Sequence, residues 1–139
     1  MAREGYAMST TREIISPPGR VSNTERRSEQ LASMTVRGGD FVFVSGLTAV
    51  DLQSGAPMRG TTASETRHIL SNLKTLLEAA GSSLEKVVKV NVLLHSMLEA
   101  PNMNEVYARF FPESPPARTV CGACLPDGVK VIIECTALS

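Results

Sequence analysis

The sequence predicts an α+β fold in which two amphipathic helices cover one face of a mixed sheet, in the order ββ-α-β-α-ββ. Three observations carry this expectation. Two β-rich runs flank a Gly38-Gly39-Asp40 link, two later segments repeat apolar residues at helical spacing, and the chain closes on two more strand-like alternations.

Each element follows from its residues. Ser33 to Arg37 and Phe41-Val42-Phe43-Val44 read as a hairpin across the glycine-rich link, with Ser45-Gly46 closing the second strand. Residues 47–60 read as a loop. Thr62-Ala63-Ser64-Glu65 has capping-box form, and Ile69, Leu70, Leu73, Leu76, Leu77 and Ala80 follow at helical spacing before Gly81 stops the helix. Val87 to His95 predicts a strand with Val88, Val90, Val92 and Leu94 on one face. Pro101 suits the first turn of a second helix, whose stripe is Met103, Val106, Tyr107, Phe110 and Phe111, and Pro112 ends it. Strands over 117–123 and 129–138 complete the order. The alternate set Lys130, Ile132, Glu134 and Thr136 mixes polar and apolar residues, which points to a subunit interface rather than a solvent face.

At 139 residues the chain makes one domain, read as an irregular N-terminal extension over 1–30 and a folded domain over 31–139. Fourteen Lys and Arg balance fourteen Asp and Glu, so no general attraction to nucleic acid or acidic membranes is expected. No run has the apolar length of a membrane span, and residues 1–30 lack the apolar core of a signal peptide. Glu4, Glu13, Glu25 and Glu29 among the leader's arginines argue against a transit peptide. Three cysteines make no disulfide framework, which suits a reducing, cytoplasmic setting. Cys121 and Cys124 form a C-x-x-C, but a strand would send them to opposite faces, and no second cysteine pair or histidine pair completes a zinc site. His68 and His95 have no metal partner at a useful spacing. No metal or cofactor is expected.

The chemistry-bearing residue is Arg118, in Pro115-Pro116-Ala117-Arg118-Thr119, between two apolar strand patterns. A guanidinium is always charged and offers a planar fork that suits a carboxylate held by two parallel hydrogen bonds. That carboxylate belongs either to a small substrate or to an Asp or Glu across an interface.

Pro116-Ala117-Arg118-Thr119, followed by Leu125-Pro126 and an apolar strand with a Glu, resembles the signature of the Rid family (reactive intermediate deaminases, or YjgF-like proteins). The likeness extends over about residues 32–138. It includes Gly39-Asp40 with Phe41 to Gly46, Leu76-Leu77-Glu78-Ala79-Ala80-Gly81, and Met103-Asn104-x-x-Tyr107 before Phe110-Phe111. The resemblance implies a chorismate-mutase-like α+β fold, a homotrimeric barrel with three clefts between subunits, and metal-free hydrolysis of imines or enamines to 2-oxo acids and ammonia. It makes Arg118 the clamp on a substrate carboxylate, with Ser45 and Thr119 as auxiliary donors. Gly46 lines the cleft and Asn104 sits near its mouth.

Two departures bear on the expected activity. The tyrosine that closes over the substrate in active members falls on Ala32. The family's last strand usually carries two glutamates at alternate positions, the first of which orients the attacking water. Aligned from Leu125-Pro126, these positions hold Ile132 and Glu134, so Glu134 is the carboxylate left to do this. Ala32 and Ile132 then leave room for a bulkier, specialised substrate. The alternatives are a noncatalytic trimer that binds small carboxylates, or a biosynthetic tailoring protein with a diverged pocket. Ribonuclease activity, which the family's name has sometimes carried, finds no histidine pair, basic groove or aromatic platform.

Overall fold

The computed structural model describes residues 11–19 and 31–139. Six strands form one sheet: β1 (Arg12–Ile15), β2 (Thr35–Gly38), β3 (Phe41–Leu47), β4 (Val87–Leu94), β5 (Ala117–Gly122) and β6 (Val131–Leu138). The helices are α1 (Thr62–Ala79) and α2 (Ala100–Phe110). The spatial order is β1-β2-β3-β6-β4-β5. Only β4 and β5 run parallel, and α2 provides the crossover that a parallel pair requires. The fold is therefore the expected mixed sheet with two helices, plus one more edge strand.

Period-two alternation assigns the two faces. Val42, Val44, Val90, Val92, Val131 and Ile133 are buried and pack with Ile69, Leu70, Leu73 and Leu77 of α1 and Met103 of α2. Each such side chain stabilises the fold by about 1.5–3 kcal/mol on burial. Phe43, Lys89, Asn91, Ile132, Glu134 and Thr136 alternate with them and lie on the open face, which α1 and α2 leave uncovered. Phe43 and Leu138 remain 48% and 44% exposed there.

Four expectations need correction. Residues 12–15 of the presumed irregular extension form β1, because β2 offers a free edge and Glu13 pairs opposite Arg37, whose Nη1 donates to Glu13 Oε2 at 2.8 Å. The rest of the extension, residues 1–10 and 20–30, lies outside the described residues. The cap of α1 is Thr61, not Thr62: its extended backbone (φ −76°, ψ 162°) leaves Thr62 already helical, and its hydroxyl accepts from the Ser64 amide at 3.1 Å. Glu65 therefore does not close a capping box. Fully buried, it accepts from the Gly60 amide at 3.2 Å and the Lys130 amide at 3.1 Å, tying the loop before α1 to the approach to β6. On β4, a bulge between Val87 and Lys89 puts Val87 in the core and leaves Val88 39% exposed. Cys124 lies beyond β5, so the two exposed cysteines do not share a strand.

The stop at Gly81 is as expected. Its φ of +79° is open to glycine at little cost, and it follows the last turn of α1 directly.

Candidate active site

The predicted site residues fall into two groups on opposite faces of the sheet. On the open face, a pocket of about 240 Å³ is lined by Ser33, Val36, Phe43, Val44, Ser45, Lys89, Asn91, Glu134, Cys135 and Thr136. Alternation along β4 and β6 aims Lys89, Asn91 and Glu134 into it, because their neighbours Val90, Ile133 and Cys135 are committed to the core. Asn91 pairs opposite Glu134, and its Nδ2 donates to Glu134 Oε1 at 2.9 Å. One carboxylate oxygen is thus oriented, and the acceptor capacity of the other is left for a water or ligand.

Ser45 plays a different part from the one expected. Its hydroxyl donates to the Ser33 carbonyl at 2.6 Å and its amide to the Met34 carbonyl at 2.9 Å. Both donors are engaged in fixing the segment before β2, so Ser45 offers the pocket an acceptor rather than a donor. Thr119 keeps its donor: Lys89 Nζ donates to Thr119 Oγ1 at 2.9 Å, which uses the oxygen's acceptor side.

Gly46 follows the pocket residue Ser45 on β3 and lies beside Ile132, outside the pocket's lining. A methyl group at position 46 would stand 2.8 Å from Ile132 Cγ2, so any larger residue would force the Ile132 side chain or the strand to shift. Neither Ile132 nor Ala32 lines the pocket.

Arg118 is on the other face. Its register partner on β4 is Val90, a core residue, so its side chain rises on the helix side of β5. There its Nη1 donates to Asn104 Oδ1 on α2 at 2.8 Å, and its Cζ lies 4.7 Å from the centroid of the Tyr107 ring. Arg118 and Asn104 therefore come together, but apart from Glu134 and Ser45 of the same chain. Tyr107, expected simply as core, is buried and also serves as the platform for Arg118. Its hydroxyl is pushed above its ordinary pKa of 10.0, by burial first and against the opposing pull of Arg118, so it stays neutral.

Sequence reasoning does not single out Lys89 or Asn91. The signal was their alternation with Val88, Val90 and Val92, which placed two polar side chains opposite an apolar face. Among the described residues no group of three or more His, Cys, Asp or Glu side chains could hold a metal ion, and no helix is long and apolar enough to cross a membrane.

Comparison with known proteins gives this geometry a context. A family model described as endoribonuclease L-PSP matches residues 27–139. A RutC family protein of Pyrococcus horikoshii is 42% identical over 106 residues, spanning 76% of this chain and 84% of the relative. The 3-aminoacrylate deaminase RutC of Acinetobacter baylyi is 37% identical over 95 residues, spanning 67% of this chain and 75% of its own length. The crystal structure of RidA from an Antarctic Psychrobacter superposes with a TM-score of 0.74 at 32% identity, over 79% of this chain and 89% of that one.

Proposed function

Since the chain belongs to the Rid family, whose family model carries the description endoribonuclease L-PSP, we propose that it is a deaminase that hydrolyses the imine or enamine of a 2-oxo acid, releasing ammonia. The names of its relatives, among them a 3-aminoacrylate deaminase, support this class of reaction. The observation that carries it is Glu134: a carboxylate at the open-face pocket, held on one oxygen by Asn91 and free on the other to orient water.

The reaction needs little more than positioning. A protonated imine is already electrophilic, so the protein must hold its carboxylate, aim a water at the imine carbon and move a proton to the departing nitrogen. Fixing the reactants in attack geometry supplies on the order of 7–11 kcal/mol in ideal cases. A general base adds roughly 10²- to 10⁴-fold. In this reading Glu134 takes the water's proton, Arg118 grips the substrate carboxylate through its planar fork, and Thr119 donates a further hydrogen bond. Ser45 accepts from the substrate side, and Asn104, bonded to Arg118, would reach the mouth of the site with it from the adjoining copy.

Arg118 and Glu134 of one chain lie on opposite faces, so the complete site forms between copies. A homotrimer that sets the β5 edge of one subunit against the open face of the next would join them. The exposed β5 edge and the apolar side chains of Phe43 and Leu138 on the open face support such an assembly. The finer part of the proposal, a substrate with a larger side chain, requires the space at Ala32 and Ile132, outside the one-chain pocket, to open onto the cleft between copies.

The test is ammonia release from imines generated in situ by an amino-acid oxidase, with wild type compared with Arg118→Ala. Acceleration by the wild type that the variant loses is the expected result. No acceleration with any imine, together with Arg118-dependent binding of 2-oxo acids, would replace the deaminase with a noncatalytic carboxylate-binding protein.

A further inference from the structure

Among the described residues that line the pocket, Lys89 is the one cation and Glu134 the one carboxylate, and the proposed reaction does not use Lys89. Lys89 is half-buried on the open face of β4, two residues before Asn91, and its ammonium is anchored across the strand pair by Thr119 Oγ1 at 2.9 Å. Its register partner on β6 is Thr136, and Glu134, one cross-strand pair further along the same face, makes no ion pair with it. Among the described residues no carboxylate lies within ion-pairing distance of Lys89, although Arg37, Arg109 and Lys130 have such partners. Glu134, the acid among the described pocket residues, is held by Asn91 instead. A lysine that merely solubilised the sheet would extend into water. This one is laid along the pocket wall by a hydroxyl whose donor side also faces the open face.

We propose that Lys89 is a specificity-determining residue that selects substrates carrying a second carboxylate, so that the preferred imine derives from a 2-oxo diacid. This rests on the deaminase reading above. Arg118 then holds the carboxylate next to the imine carbon, and Lys89 holds the one at the end of the side chain. The second carboxylate supplies the anion that Lys89 lacks, and a diacid of four or five carbons is short enough for a pocket of about 240 Å³. A monoacid would leave the ammonium with only its hydroxyl partner. A charge-assisted hydrogen bond at a part-exposed site corresponds to about tenfold in affinity.

The experiment is calorimetric binding of oxaloacetate and 2-oxoglutarate, against pyruvate and 2-oxobutyrate, to the full chain and to Lys89→Met and Lys89→Arg. The expected wild-type preference for diacids is about tenfold. Lys89→Met should bring the ratio of diacid to monoacid affinity to about one, and Lys89→Arg should restore most of it. Equal affinities in the wild type overturn the proposal, as does a Lys89→Met variant that keeps the wild-type ratio or a chain that binds no 2-oxo acid. The same proteins are assayed for imine hydrolysis. Hydrolysis without a diacid preference sinks the Lys89 proposal alone, whereas a Lys89-dependent preference without hydrolysis sinks only the deaminase reading.

Discussion

Arg118 sits over the ring of Tyr107, with its Cζ 4.7 Å from the ring centroid, and donates from the same guanidinium to Asn104 Oδ1. The ring contact and the hydrogen bond to Asn104 together restrict the guanidinium while leaving its remaining donors for a carboxylate. Lysine has the charge but neither the plane nor the fork. Arg118→Lys should therefore lower kcat/KM for imine hydrolysis by about 10²-fold or more, and cost only about 0.5–1 kcal/mol of stability through the lost stack. Steady-state ammonia release and a thermal melt separate the two effects. A fully active lysine variant would remove the bidentate clamp from the mechanism.

The hydroxyl of Tyr107 contributes nothing to that stack. It is buried and has no hydrogen-bond partner among the described residues. An unsatisfied buried hydroxyl is a cost, and phenylalanine keeps the ring. Tyr107→Phe should leave ammonia release near the wild-type rate and raise the urea midpoint, by up to about 1 kcal/mol of stability. A drop in kcat with KM unchanged would instead assign the hydroxyl a role in proton movement.

These two residues also show what the sequence could and could not convey. The α2 stripe placed Tyr107 inward, and the Pro-Ala-Arg-Thr motif singled out Arg118, but neither signal says that one covers the other. That contact depends on β5 running parallel to β4 with Arg118 in register with Val90, a tertiary pairing that local periodicity does not carry. The hairpin at Gly39, α1 with its stop at Gly81, and β4 were legible because their patterns are local. Strand β1 was not, since four residues, Arg12 to Ile15, gain their order from the edge of β2 and from Arg37 rather than from a pattern of their own. The cap of α1 shifted by one residue because two threonines, Thr61 and Thr62, compete for it and only backbone geometry decides. Within the site, Glu134 could be named, but the donor loss at Ser45 could not. It arises from Ser33 and Met34 folding back onto it.

Glu134 can be tested without disturbing its neighbour. In Glu134→Gln the amide oxygen can still accept from Asn91 Nδ2, so the pocket wall is retained while the proposed base is lost. The expected result is a fall in kcat of about 10²- to 10⁴-fold with little change in KM. An unchanged kcat would mean that water activation lies elsewhere.

Glu65 is a structural counterpart to Glu134. It is fully buried, accepts from the Gly60 and Lys130 amides, and has Lys130 Nζ at 3.6 Å. Alanine there would leave two backbone donors without their acceptor and remove one side of a partly buried ion pair. Glu65→Ala should cost about 3–5 kcal/mol, read from the urea midpoint, and more than Glu65→Gln, which keeps one acceptor. A cost below about 1 kcal/mol would show that water replaces the carboxylate at both amides.

Cys135 links the pocket wall to the pH dependence of stability. Its thiol is pushed from an ordinary 9.0 up to about 12, by burial first and by the adjacent Glu134 carboxylate second. Above pH 9 the unfolded chain releases this proton and the folded chain keeps it, so the native state binds more protons and stability falls as pH rises. The contribution is fully present below about pH 9 and is lost as pH climbs through about 12. The slope is up to about 1.4 kcal/mol per pH unit from this group, with Tyr107 acting in the same direction above its own ordinary value. Chemical denaturation between pH 8 and pH 11 should therefore show a steeper alkaline loss in the wild type than in Cys135→Ala. Equal slopes in the two proteins would mean that the buried thiol ionises as readily in the fold as in the unfolded chain, and that β6 opens to solvent at its centre.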